Sequence, residues 1–371
     1  MDFNLSEELT DVADLARTLF ADLSTTDRVR EVEQGDCRHD DDLWAALAKS
    51  GLLGLAAAEE HGGAGLGLAA ACVVLEEQGR HVAPVAIWPH VVAGLAIADA
   101  GTPELADLLP SFAEGRERVT VALEEADGAE PASPRTTARA GDGGPWLLTG
   151  LKVAVPSPQG SSHVLVSATT DGGTGLFLVE TAAGEWELAD TTTHDRSGHL
   201  TLRDTPGVAL GEPGDASLAT LLRRAGIALT AVQVGVADGA MRLAASYTSE
   251  REQFGRPLGS FQAVQHQLAD CWIDVDAMRV TLWEALSRDA DADSAPVEAE
   301  RAAMVASLWR TQAGLDVVHR VQHVHGGMGV DVDYPVHRYF LWGKQIASTL
   351  GGAGSVLADL RALVAREKVV S

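Results

Sequence analysis

The sequence predicts an α+β chain in three parts: a helical domain over residues 1–115, an all-β domain over 116–213 and a four-helix bundle over 214–371. Three observations carry that reading. Apolar residues recur at helical spacing in the first and last parts. Short runs rich in β-branched residues, separated by Gly, Asp, Ser and Pro, fill the middle. The last part holds four long periodic runs, enough for a bundle. At 371 residues the chain is long enough for two or three domains and a sizeable core.

In the first part Leu9, Val12, Leu15, Leu19 and Leu23 form one apolar stripe, and Leu43, Leu47 and Leu52 form another that stops near Gly51. The run GLLGLAAAEEHGGAGLG reads as a turn, followed by a helix over 68–79. The middle part offers the strands VTVAL, WLLTGLKVAV, HVLVSAT, GLFLVE and GHLTLRD. The four bundle helices span 218–247, 261–288, 297–325 and 336–368. Leu308, Ala313, Val317 and Val321 give the third its apolar side, and His325-Gly326-Gly327-Met328-Gly329 stops it, because glycine takes positive φ freely. Pro335 suits the first turn of the fourth, where its missing N–H costs nothing. Val336, Tyr339, Phe340, Trp342, Ile346 and Leu350 supply that helix's buried side.

Composition narrows the function. With 46% hydrophobic residues the chain is ordered rather than disordered, and a net charge of −25 argues against nucleic acid or an anionic membrane as partner. Cys37, Cys72 and Cys271 match no metal or disulfide spacing, which points to a reducing compartment and to no metal site. The start MDFNLSEELTD lacks a basic region and an apolar core, and no run of about 18 uninterrupted apolar residues occurs, so a soluble cytoplasmic protein is expected. No P-loop, no GxGxxG after a strand, no GxSxG and no HExxH is found.

Between the first two bundle helices lies REQFGRPLGSFQ, residues 251–262. Arg251 can make charge-assisted contacts to a pyrophosphate worth about 1.5–3 kcal/mol each. Phe254 can pack on a planar ring, and Gly255-Arg256-Pro257 forces a turn. On these residues alone a polar interhelical loop with an arginine ion pair is the more ordinary reading. The glycine corner is likewise either a plain helix end or backbone brought close to a ligand. His325 and His337 flank it without a carboxylate at helical spacing and read as packed or exposed. Arg223 and Arg224 face either the phosphates of a ligand or solvent.

HVHGGMGVDVDYPVHRYFLW and REQFGRPLGSFQ, taken with the helical, β, helical order, resemble the acyl-CoA dehydrogenase family. The resemblance implies that the 251–262 element reaches across a dimer and holds the ADP half of the partner's FAD, with Arg251, Gln253, Phe254, Leu258, Gln262 and Val264 lining it. It implies that the corner touches the same cofactor through His323, where the family has glutamine, and through Gly326 and Gly327.

The departures matter as much. The family's flavin-ring stretches read LEEADGAE (123–130) and KVAVP (152–156) here. Glu124 and Glu130 are then expected to set unpaired negative charge beside the ring, and Pro156 has no N–H to give it. This β domain is therefore expected not to hold the ring; the alternative is that these are solvated loop acids in a domain that still binds FAD through other residues. The two family positions for the glutamate that removes the substrate's α proton fall on Leu350 or Gly351 and on Ala225, which Gly226 follows, and no Asp or Glu occurs from Tyr334 to Ala358. A general base is worth about 100- to 10,000-fold in rate. The resemblance thus implies a subunit with no catalytic residue of its own, in an α2β2 heterotetramer. A paralogous partner supplies the glutamate, the ring pocket and most of the acyl-CoA site, and an electron-transfer flavoprotein is the acceptor. The chain looks like the short members of actinobacterial pairs that oxidise steroid side-chain CoA thioesters. A self-sufficient homo-oligomeric flavoenzyme with an unrecognised base, and a flavin-free scaffold, remain the alternatives.

Overall fold

The computed structural model describes residues 5–100, 102–126, 128, 130–141 and 144–370. The first helices are α1 Glu7–Leu23, α2 Thr26–Gln34, α3 Asp41–Lys49, α4 Gly67–Arg80, α5 Ile87–Ala100, α6 Pro103–Ala106 and α7 Leu109–Ala113. Seven strands follow: β1 Val119–Ala122, β2 Thr137–Arg139, β3 Trp146–Pro156, β4 His163–Thr170, β5 Gly173–Glu180, β6 Glu185–Asp190 and β7 Arg196–Leu210. The rest comprises α8 Ser217–Glu250, the short strands β8 Glu252–Gln253 and β9 Arg256–Pro257, α9 Gln262–Ala290, α10 Pro296–His325, α11 Val336–Ser348 and α12 Ala353–Val370. These elements form two compact units. One holds residues up to Val29, Cys72–Ala83 and everything from Gly226 on; the other holds Arg30–Ala71 and Pro84–Ala225.

In the second unit the strand order is β1-β4-β2-β3-β7-β5, with β6 on β7 and β5 also paired to β4. The ladder thus closes on itself, which leaves few free strand edges. Leu148, Val164, Val166, Phe177, Val179 and Leu200 fill its core. Two strands escaped the sequence reading. β2 is only three residues long, and β6 is an acidic run in which Trp186 is the residue packed against the core.

The first unit is helical. Ser6 caps α1 by accepting the N–H of Leu9 at 3.2 Å. The buried face of α1 shares only Val12 with the expected stripe: Val12, Ala13, Ala16 and Phe20 turn inward, Leu9 and Leu19 are half-buried, and Leu15 and Leu23 are exposed. The small alanines let the helix lie close, and Phe20 stacks on His81 with ring centroids 6.1 Å apart. α8 is long and apolar enough to cross a bilayer by length and composition, yet 89% of its most apolar window is buried inside the protein, as a core helix requires.

The expected last helix over 336–368 is two helices. α11 stops at Ser348, and Leu350 and Gly351 take φ of 58° and 98°, so the chain turns before α12. Arg310 of α10, fully buried, fixes that stop: its Nη1 donates to the carbonyls of Ile346 at 2.8 Å and Thr349 at 3.2 Å. The last carbonyls of α11 thereby gain a cationic partner, as helix C-termini favour. Leu350, expected on the helix's buried side, sits half-buried in this turn instead.

Candidate cofactor-binding site

Arg251 is the first residue after α8. Its carbonyl accepts the N–H of Leu258 at 2.8 Å, which closes residues 251–258 into one loop. Within it β8 and β9 pair antiparallel, Gln253 opposite Arg256, across the two-residue turn Phe254-Gly255. Both turn residues have positive φ, 55° and 79°, the geometry of a type I′ hairpin. Glycine adopts it freely, whereas an aromatic residue there costs about 1–2 kcal/mol. Phe254 is nevertheless 91% exposed, so no burial within the chain offsets that strain. Strain at so exposed a side chain makes Phe254 a candidate functional position.

The neighbouring side chains form a platform. The Arg256 guanidinium lies 4.0 Å from the Phe261 ring centroid, and Phe254 meets Phe261 edge-on at 6.2 Å. Arg251, Gln253 and Gln262 are exposed, and Leu258 and Val264 are half-buried. Among the described residues the Arg251 guanidinium makes no ion pair. The salt-bridged loop that the residues alone also allowed is therefore not what forms.

The second segment leaves the C-terminus of α10. Gly326 ends the helix at φ 57°, ψ −130°, a conformation open to glycine only. Gly327 needs no such conformation, and a Cβ added at either glycine meets nothing within 4 Å. The corner is held from beneath by Gln322, whose Nε2 donates to the Gly329 carbonyl. His323, the residue predicted from the family's glutamine, is exposed on the helix surface. His325 is buried rather than surface-facing. Its Nδ1–H donates to the Val321 carbonyl at 2.8 Å, and burial lowers its pKa against the opposing pull of that carbonyl. Tyr247, four residues before Arg251, stacks on it. Nothing in the sequence singled out Tyr247, apart from its place at the end of a long helix next to the arginine motif.

The positions that would carry a base hold none. Ala225 is fully buried in α8, and Leu350 and Gly351 form the turn described above. Arg224, expected to face the phosphates of a ligand or solvent, pairs with Asp99.

In the β unit one expectation is overturned. Glu124 and Glu130 are not unpaired buried charges. Glu130 is exposed, and the Glu124 backbone bridges to Val153. Asp127 and Ala129 lie outside the described residues. The buried charge is Glu125, and it is paired: the Lys152 ammonium donates to its Oε1 at 2.6 Å, and the N–H groups of Thr136 and Arg135 donate to Oε1 and Oε2 at 3.0 and 2.7 Å. Lys152, fully buried, also donates to the Ser167 hydroxyl at 3.0 Å. Burial pushes the Glu125 carboxyl up, but Lys152 and Thr136 more than reverse this and hold it at about 2. A partner 27 residues away thus satisfies Glu125, an acid the sequence reading had not singled out. Pro156 ends β3 with its carbonyl engaged by the Thr120 hydroxyl at 2.6 Å and no N–H to offer.

Comparison with known proteins adds the following. Residues 6–116 match the family model of the acyl-CoA dehydrogenase N-terminal domain, and residues 215–366 that of the acyl-CoA dehydrogenase C-terminal domain. The chain is 38% identical over 364 residues to acyl-CoA dehydrogenase FadE27 of Mycobacterium tuberculosis, covering 95% of this chain and 96% of the relative. Among solved structures it is similar to a variant of the Tcur3481-Tcur3483 steroid ACAD, with a TM-score of 0.94 and 54% identity over 98% of this chain and 99% of that one. It is also similar to a chain of the ChsE4-ChsE5 complex from Mycobacterium tuberculosis, with a TM-score of 0.92 and 36% identity over 98% and 99% of the two chains.

Proposed function

The chain belongs to the acyl-CoA dehydrogenase family, and on that premise we propose that it is the base-lacking subunit of a hetero-oligomeric, FAD-dependent dehydrogenase of acyl-CoA thioesters. One observation carries the proposal: the 251–262 hairpin holds Phe254 exposed in a strained turn, while both base positions hold residues that cannot take a proton.

The residues present fit the nucleotide half of FAD. Arg251 is an uncommitted cation for the pyrophosphate, Gln253, Gln262 and His323 are exposed polar groups for phosphate and ribose, and Phe254 offers a ring face. Bare backbone at Gly326 and Gly327 allows close approach. The ring half fits poorly here, because Pro156 has no N–H to give and the buried lysine of this region is committed to Glu125. Bound FAD would supply the acceptor for the hydride lost from the substrate's β carbon. This chain's own residues bind and orient its tail, and a paralogous partner supplies the glutamate, the ring pocket and most of the acyl-CoA site.

Two further features support a partner. Trp272 and Ile273 on α9 are 62% and 61% exposed, and Val330 and Val332 beside the corner 77% and 70%. Such apolar exposure marks an association surface. Two of the similar structures, the Tcur3481-Tcur3483 steroid ACAD variant and the ChsE4-ChsE5 complex, each pair two proteins. We place the substrate among steroid side-chain CoA thioesters and the assembly as α2β2, with an electron-transfer flavoprotein as acceptor.

The test is co-expression with a glutamate-bearing paralogue. The complex is expected to carry flavin and to reduce an electron acceptor when given acyl-CoA, and this chain alone to do neither. Arg251→Ala in the complex is expected to lower flavin occupancy. Full flavin and turnover from this chain alone would refute the proposal.

A further inference from the structure

Two helices end side by side in the helical unit, and each runs straight into one of the two nucleotide-facing segments. α8 leads into the 251–262 hairpin, and α10 leads into the 326–329 corner. Beyond both ends the backbone is irregular, with positive φ at Phe254, Gly255 and Gly326, so neither segment inherits stiffness from its helix. The link between them is a cluster of rings. Tyr247 near the end of α8 stacks on His325, the last residue of α10, with centroids 4.6 Å apart and planes 23° from parallel. Tyr334, past the corner, approaches His325 at 5.4 Å and Tyr247 at 6.2 Å. Because Nδ1–H of His325 donates to the Val321 carbonyl, its Nε2 presents a lone pair, and the Tyr334 hydroxyl lies 3.5 Å from it.

We propose that the Tyr247, His325 and Tyr334 stack is a positioning device that fixes the separation of the hairpin and the glycine corner, so that both grip one dinucleotide. The inference rests on the nucleotide role proposed above. None of the three residues is assigned contact with the cofactor; they act through Arg251 and the Gly326-Gly327 backbone. An aromatic pair contributes about 0.5–1.5 kcal/mol beyond the area it buries, so losing the ring stack is expected to speed flavin release by up to about tenfold.

The experiment uses the complex with its paralogous partner and reads the rate of FAD release by recovery of flavin fluorescence after dilution. Four forms are compared with the unaltered complex: His325→Leu, which fills the space without a ring, His325→Phe, which restores a ring, Arg251→Ala, and the double form His325→Leu with Arg251→Ala. His325→Leu is expected to release FAD about tenfold faster and His325→Phe to stay within about threefold of the unaltered complex. In the Arg251→Ala background His325→Leu is expected to add little, because a spacing set for an absent guanidinium no longer matters. Three results overturn the proposal: equal release from the Leu and Phe forms, no change in either, or full additivity with Arg251→Ala. If instead Arg251→Ala alone leaves release unchanged, the nucleotide reading of the hairpin fails.

Discussion

Gly327→Ala separates a glycine kept for the chain's own fold from one kept for a ligand. Gly327 does not need the left-handed region, and the added methyl would meet nothing within 4 Å. For the chain itself the substitution should leave the unfolding free energy unchanged or raise it by about 0.4–1 kcal/mol, through lost freedom of the unfolded backbone. A cofactor seated against this backbone would meet the methyl directly. Overpacking of that kind costs about 1–3 kcal/mol, equivalent to about a 5- to 150-fold weaker hold. The assay is paired: thermal unfolding of the substituted chain without flavin, and FAD titration of the flavin-stripped complex. The expected result is an unfolding midpoint no lower than before together with a dissociation constant raised several-fold or more. Unchanged affinity with unchanged stability would refute the assignment of the corner as a cofactor contact.

Phe254→Gly should relieve the strained hairpin turn and stabilise the chain by up to about 1 kcal/mol while weakening FAD retention; a loss of stability would show that Phe254 serves the fold. Glu125→Gln leaves Lys152 buried without its counter-ion and should cost about 3–5 kcal/mol in denaturant unfolding, against which a cost below about 1 kcal/mol would count. Acid should weaken the β unit. Burial, and then Arg118, hold His39 near pKa 4, and burial, offset in part by the Phe112 carbonyl, holds His90 near 4 as well. Both rings are neutral in the folded and unfolded chain above about pH 6.5, so the stabilisation is complete there. Between about 6.5 and 4 only the unfolded chain takes up these protons, and stability falls by up to about 3 kcal/mol per ring. Unfolding midpoints measured from pH 7 to 4.5 should drop, less steeply in His90→Gln, and a flat profile would contradict the assignment.

The long helices were legible because their apolar period extends over many turns, as in α10, where Ala313, Val317 and Val321 are all buried. The stop after Ser348 was missed although Gly351-Gly352 follow it, and the arginine that fixes it lies 36 residues upstream of Ile346, beyond any local pattern. The face of α1 was misread because leucines outweigh alanines in a pattern, whereas close packing favours the smaller side chains. The Glu125–Lys152 pair was hidden because the backbone bridge between Glu124 and Val153, not sequence spacing, brings its members together. At the site, REQFGRPLGSFQ stood out by its residue types, but they do not announce the left-handed conformation of Phe254, and the Tyr247–His325 stack exists only once the two helix ends are brought together.

Flavin stoichiometry tests the division of labour most directly. The complex with the paralogous partner, purified to equal amounts of the two chains, is weighed for protein and read for flavin absorbance. If this chain grips the nucleotide while the partner alone houses the ring, one flavin accompanies every two chains. One flavin for every chain would place a ring in this subunit as well and contradict the account.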